Sequence, residues 1–181
     1  MPKVFEKTIF DDIFPVLLTI HAPQQHGFVS KKSTSTNRCE FIHHVYNAMD
    51  QGYQMDTVYT DNFKAFDEIS HDLLIIKLEE IGLHGDLLRW ISSYLRDRSQ
   101  AVAIKGFCST FVLITSGVPQ GSNHGPFLFN VFVNDTRRVF RYSSTLFYAD
   151  DLKIYKSITN SNDCLLLQNY LDELCKYCVK V

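Results

Sequence analysis

Residues 147–151 read Phe-Tyr-Ala-Asp-Asp. Asp150 and Asp151 repel each other when both are ionised, and folding gains nothing from placing them side by side. Two readings are open. Asp is a favoured turn residue, and an isolated pair at a hairpin is ordinarily no more than that. The other is a divalent-cation site, since Mg²⁺ takes a few carboxylate oxygens plus substrate phosphates and relieves the repulsion. That reading requires a further carboxylate at the end of a neighbouring strand. Asp61 fits the requirement: it closes a stretch that alternates as a strand, with Val58 and Thr60 on one face and Thr57, Tyr59 and Asp61 on the other.

The elements that must position these carboxylates can be read from periodicity. Asn37 with Glu40 three residues on starts a helix, along which Ile42, Val45, Tyr46 and Met49 repeat until Gly52. A second helix runs from about Asp72, with Leu74, Leu78 and Ile81 on one stripe and Gly82 at the stop. A third, from about Asp86 to Arg96, places Leu88, Ile91 and Leu95 inward. Strands at about Gln100–Lys105 and Phe111–Thr115 flank Gly106 as a hairpin, and Ser122 can cap a helix carrying Leu128, Val131 and Phe132. Strands at Thr145–Ala149 and Leu152–Lys156 bracket Asp150 and Asp151 at a tight turn. Cys164, Leu167, Leu171, Leu174 and Cys178 then step along a final helix. No repeat, low-complexity tract or linker interrupts the chain. The expectation is one continuous α+β domain with a largely antiparallel sheet.

Composition bounds the function. The chain has 181 residues, 45% of them hydrophobic, which is enough for a core and too apolar for disorder. Its net charge of −2 argues against a small basic module that holds nucleic acid by charge alone. The charge is segregated, however. Residues 50–86 hold nine acids against Lys64 and Lys77, whereas residues 89–141 hold seven bases against Asp97 and Asp135. This is either two solvated faces or an acidic cation site beside a basic track for a polyanion. Five cysteines, an odd number without a framework, suggest reduced thiols and an intracellular setting, with nucleus and cytoplasm undistinguished. The longest apolar stretch, Ile13–Ile20, is broken by Pro15 and Thr19, and a bilayer crossing needs about 20 residues, so no membrane partner is expected. Cys175 and Cys178 lack a second ligand pair at zinc spacing and read as core thiols. His43 and His44 are adjacent on a helix and cannot share one face.

Taken together, the blocks of sequence resemble the reverse transcriptases of non-LTR (LINE-like, jockey-type) retrotransposons. Asp61 followed five residues later by Phe66 looks like their first palm motif. Ser116-Gly117-Val118-Pro119-Gln120-Gly121-Ser122 looks like the second, and Phe147–Asp151 like the third. Gln25-His26-Gly27-Phe28 with Lys32-Ser33-Thr34 is similar to the family's fingers motif, and His71–Leu74 and Leu88–Leu95 look like its linking segments.

The resemblance implies an RNA-directed DNA polymerase that adds dNTPs to a DNA primer 3′-hydroxyl on an RNA template. Asp61, Asp150 and Asp151 would be both the catalytic residues and the ligands of two Mg²⁺ ions, with Mn²⁺ as a substitute. Phe66 would pack against the incoming sugar and exclude a 2′-hydroxyl; a plain core aromatic is the alternative. Gln120 and Gly121 would lie near the nascent pair, and Lys32, with Lys31 and Arg38, would meet the triphosphate. Asp67 matches a family position outside the metal triad. The implied fold is a polymerase-type fingers and palm, an antiparallel sheet packed on helices. Residues about 1–54 would contribute fingers, and about 55–181 palm with interleaved fingers elements, ending before the thumb. The parent polyprotein's endonuclease and thumb would lie outside residues 1–181. The alternative function is a catalytically dead remnant, or an RNA-binding module that keeps the palm fold. Departures from the family pattern include Val29, Lys31, Asn62-Phe63 and Asn123-His124. The last pair puts two polar groups at a helix start near the core, costing about 1–3 kcal/mol if left unpaired.

Overall fold

The computed structural model describes residues 4, 6–11, 22–60, 65–134, 136 and 144–180. In chain order its elements are α1 (Thr34–Asp50), β1 (Gln54–Thr60), α2 (His71–Glu80), α3 (Gly85–Leu95), β2 (Arg98–Gln100), β3 (Ala103–Ile104), β4 (Phe107–Cys108), β5 (Val112–Ile114), α4 (Gly125–Val133), β6 (Ser144–Tyr148), β7 (Asp151–Ile158) and α5 (Ser161–Lys180). The chain forms two compact units interleaved in sequence. One comprises Met1–Phe14 with Lys64–Phe132, the other Pro15–Phe63 with Val133–Val181.

The second unit is built on an antiparallel sheet of order β1-β7-β6. Paired residues share a face, so Tyr59, Lys153 and Leu146 lie on one side and Thr60, Leu152 and Phe147 on the other. On the second side Phe147, Leu152 and Ile154 pack with Leu167 and Tyr170 of α5. On the first, Phe41 of α1 meets the rings of Tyr59 and Tyr155 at 6.4 and 5.4 Å.

Helix α1 begins earlier than the Asn37–Glu40 pair implies. Ser33 accepts the Thr36 amide at 3.2 Å while Thr36 accepts the Ser33 amide at 2.9 Å, a capping box four residues upstream. The buried stripe also differs. Asn37 and Ala48 are buried with Phe41 and His44 half-buried between them, while Ile42, Tyr46 and Met49 are exposed. The polar group of Asn37 is satisfied by partners on the sheet, and that compensation allows the helix to turn this face inward.

In the first unit, Leu74 and Leu78 of α2 and Ile91 and Leu95 of α3 are fully buried, as their spacing predicts. Ser70 caps α2 by accepting the Leu73 amide. The hairpin forms, but as two short ladders, β2 with β5 and β3 with β4. Between them Ser109 takes both backbone groups of Val102, its amide donating to the Val102 carbonyl and its hydroxyl accepting the Val102 amide. Lys105 and Gly106 both have positive φ, 50° and 86°, as a two-residue type I′ turn requires. Helix α4 is buried along nearly its whole length; Ser122 accepts the Gly125 amide at its start, and the Lys77 ammonium donates to the Phe132 carbonyl at 2.7 Å near its end.

His124, one residue before α4, is completely buried, and neither ring nitrogen has a hydrogen-bond partner among the described residues. The rings of Trp90, Tyr94 and Phe10 surround it at 5.3, 5.7 and 5.9 Å. Cys175 and Cys178 are exposed rather than core thiols, and the core contacts of α5 end at Leu174. Among the described residues no helix is long and apolar enough to cross a membrane.

Candidate active site

The paired carboxylates sit where β6 meets β7, but the loop falls one residue earlier than the expected Asp150-Asp151: Asp150 is in the loop and Asp151 is the first residue of β7. Tyr148 pairs with Asp151, leaving Ala149 and Asp150 as the loop. Ala149 has φ +55°, at the first turn position where two-residue hairpins favour glycine. A left-handed alanine costs roughly 1–2 kcal/mol, so something must hold it there. Gln25 does. Its side-chain oxygen accepts the amides of Gly27 at 2.7 Å and Ala149 at 3.1 Å, and its side-chain nitrogen donates to the Ala149 carbonyl at 3.4 Å. Gly27 lies against the same turn: a Cβ there would sit 2.2 Å from the Ala149 nitrogen.

The strand before the turn is held as well. The Phe147 amide donates to the Gln24 carbonyl, and the Phe147 carbonyl accepts the His26 amide and the Asn37 side chain, at 3.0, 2.9 and 3.1 Å. Asn37 also accepts the Lys153 ammonium at 2.7 Å. Burial lowers the Lys153 pKa, reinforced by Arg38 and opposed by Asp151. Buried His26 reaches Thr36 at 2.9 Å and Glu40 at 3.2 Å; burial lowers its pKa, with Lys32 adding and Glu40 opposing.

Asp150 is half-buried and Asp151 exposed. Among the described residues neither carboxylate accepts a hydrogen bond or joins an ion pair. Asp61 lies outside the described residues; the strand before it ends at Thr60, opposite Leu152, the residue after Asp151. Among the described residues no group of three or more His, Cys, Asp or Glu is arranged to hold a metal. Lys32 donates its ammonium to the Pro23 carbonyl, and burial lowers its pKa.

Phe66, Gln120 and Gly121 belong to the other unit. There the Ser116–Ser122 loop is stapled to Phe66–Ser70. The Gly117 amide donates to the Ile69 carbonyl, the Val118 amide to the Phe66 carbonyl and the Ser116 hydroxyl to the Asp67 carbonyl, at 2.8, 2.9 and 2.7 Å. Gly117 has φ +83°, and a Cβ would sit 2.7–2.8 Å from the Asp67 and Phe66 backbone, so glycine is required twice over. The Gln120 side chain donates to Asp67 at 3.0 Å. Phe66 stacks on Phe129 with centroids 4.1 Å apart. A groove of about 610 Å³ is lined by Asp67, Arg98, Gln100, Ser116 and Gln120 among others.

Sequence reasoning missed the roles of Gln25, Asn37 and Asp67. Asn37 leaves a signal in hindsight: a polar residue at the head of the 37, 41, 44, 48 stripe. Asp67 leaves none, because its partner Gln120 lies 53 positions away.

Residues 2–181 match the family described as reverse transcriptase (RNA-dependent DNA polymerase). The chain is 29% identical over 188 residues to the probable RNA-directed DNA polymerase from transposon BS of Drosophila melanogaster, covering 98% of this chain and 21% of that protein. It is 27% identical over 166 residues to the RNA-directed DNA polymerase from mobile element jockey of Drosophila funebris, covering 86% and 18%. The chain thus spans about a fifth of the length of these relatives. Among solved structures, apo telomerase from Candida tropicalis, truncated from its C-terminal domain, aligns with TM-score 0.66 at 12% identity over 92% of this chain and 36% of that one. Telomerase from Candida albicans, in complex with a fragment of telomeric RNA, aligns with TM-score 0.61 at 12% identity over 94% and 32%. These structural likenesses establish a polymerase-type fold.

Proposed function

The chain belongs to the reverse transcriptase (RNA-dependent DNA polymerase) family and is related to the polymerases of non-LTR retrotransposons, and from this premise we propose that it supplies the catalytic carboxylates of an RNA-directed DNA polymerase. The reaction joins the primer 3′-oxygen to the α-phosphorus of a dNTP and releases pyrophosphate. Divalent ions are the family's general requirement. Asp61, Asp150 and Asp151 would hold two Mg²⁺, or Mn²⁺ in their place. Such ions, when bound, activate the primer hydroxyl and screen the triphosphate charge.

The observation that carries the reading is the state of Asp150 and Asp151: two adjacent carboxylates with hard oxygen donors, unspent on any described partner, on a turn fixed by buried amides. A turn that used Asp only for its local bonding would spend those oxygens on backbone amides. Phe66, its ring fixed against Phe129, would close the space beside the sugar 2′-carbon and select deoxynucleotides. Gln120, oriented by Asp67, would contact the nascent pair, with Gly121 letting the backbone approach closely. For Lys32 to reach a triphosphate it must release the Pro23 carbonyl. RNA as template is supported by the names of the relatives; the primer is proposed to be DNA.

Primer extension on a poly(rA)·oligo(dT) substrate with Mg²⁺ tests this, with the chain joined to the segments that follow the matched region in its jockey relatives. Incorporation that disappears in Asp150→Asn upholds the proposal. No incorporation by the parent favours a catalytically dead remnant or RNA-binding module.

A further inference from the structure

We infer that Gln25 is the positioning residue of the Asp150–Asp151 turn, its buried carboxamide holding Ala149 in the left-handed conformation from which the two carboxylates start. The inference rests on the metal-ligand reading above. Since no described side chain holds either carboxylate, their placement is inherited from the backbone of Ala149 and Tyr148. That backbone is strained, and a strained φ persists only where its surroundings over-determine it.

The surroundings here are specific. A carboxamide offers an acceptor and a donor in one plane, and Gln25 uses both on one residue: it takes the Ala149 amide and gives to the Ala149 carbonyl. Its oxygen has a second lone pair, which the Gly27 amide occupies at 2.7 Å, fixing the carboxamide's own orientation. Gln25 is only 4% exposed, so water does not compete for these bonds. Gly27 must lack a Cβ for the clamping segment to lie this close to Ala149. Asn37 braces the strands on either side of the turn from the helix side, joining the Phe147 carbonyl of β6 to the Lys153 ammonium of β7. The fingers-like motif therefore has a task on this turn that is separate from any contact with substrate.

The test is Mn²⁺ binding to the 181-residue chain, followed by electron paramagnetic resonance, in the parent, Gln25→Ala, Gln25→Ala/Ala149→Gly and Asp150→Asn. Glycine adopts the left-handed φ without strain and makes the clamp unnecessary. The expected result is about tenfold weaker Mn²⁺ binding in Gln25→Ala, restored to within about threefold of the parent by Ala149→Gly. A merely structural role would lower the melting temperature and leave the affinity of the folded protein at the parent value; that result overturns the inference. Weakened binding that Ala149→Gly does not restore overturns it too. If Gln25→Ala does not fold, Gln25→Glu replaces it, keeping the acceptor and losing the donor to the Ala149 carbonyl, with the same expected direction. If the parent binds no Mn²⁺ that Asp150→Asn removes, the metal reading fails instead. Hydrogen exchange of the Ala149 amide then decides the clamp alone: protection lost in the Gln25 variant upholds it, and protection retained overturns it.

Discussion

Replacing His124 with leucine is expected to stabilise the protein, and by more at acid pH than at neutral pH. The ring is fully buried with both nitrogens unpaired among the described residues. A neutral imidazole carries one donor and one acceptor, and each left dry costs about 1–3 kcal/mol. Leucine removes both penalties and keeps apolar contact with Phe10, Trp90 and Tyr94. It forgoes the ring-on-ring contribution of those neighbours, about 0.5–1.5 kcal/mol per pair. The balance is a gain of about 1–2 kcal/mol, or roughly 2–8 °C in melting temperature for a chain of this length. Burial holds the His124 pKa below its ordinary 6.5, opposed by Glu6. The unfolded chain therefore binds a proton that the folded protein refuses, and wild-type stability falls as pH drops below 6.5. His124→Leu removes that dependence, so its advantage grows by up to about 1.4 kcal/mol per pH unit over the interval between the folded and unfolded pKa values. Thermal melts of both proteins at pH 8.0, 6.5 and 5.5 measure it. A variant less stable than wild type at pH 8.0, or an advantage that does not grow towards pH 5.5, refutes the reasoning.

Gly117→Ala combines a left-handed φ, costing about 1–2 kcal/mol, with overpacking against the Asp67 and Phe66 backbone, costing about 1–3 kcal/mol; denaturant titration should show a loss of about 3 kcal/mol. Asp150→Asn should leave stability within about 0.5 kcal/mol of wild type while abolishing Mn²⁺ binding, as separate melting and binding measurements would show. Asp163, at the start of α5, accepts the Thr159 hydroxyl and amide and pairs with Lys156, which together hold its pKa well below the ordinary 3.8. Its contribution is present above pH 3.8 and lost as pH falls below that value, so Asp163→Ala should lower the melting temperature at pH 7 and converge on wild type in strong acid. Asp67→Ala should release Gln120 with little loss of stability, and in primer extension raise KM for the dNTP more than it lowers kcat.

The carboxylate pair, its turn, the flanking strands and the order of most helices were legible in the chain, because each depends on local pattern. Alternation marks the strands, Gly82 and Gly106 mark stop and turn, and Leu74, Leu78, Ile91 and Leu95 repeat at helical spacing. The inward face of α1 was not legible. Hydrophobicity points to Ile42, Tyr46 and Met49, yet the buried stripe is led by Asn37, which is affordable only because Phe147 and Lys153, more than a hundred residues away, supply its partners. The exposed thiols of Cys175 and Cys178 and the dry ring of His124 were decided the same way, by what packs beside them.

The sequence by itself determined which residue types could do the chemistry, that two strands meet in a tight turn beside the carboxylate pair, and which family the chain resembles. Short-range spacing carries that information. Only the tertiary structure decided that Gln25 and Gly27 hold the turn, that Asp67 orients Gln120, and that Lys32 is engaged by Pro23. Hydrogen bonds between residues distant in sequence leave no periodic trace, and in this protein they are what fixes the geometry on which the carboxylates depend.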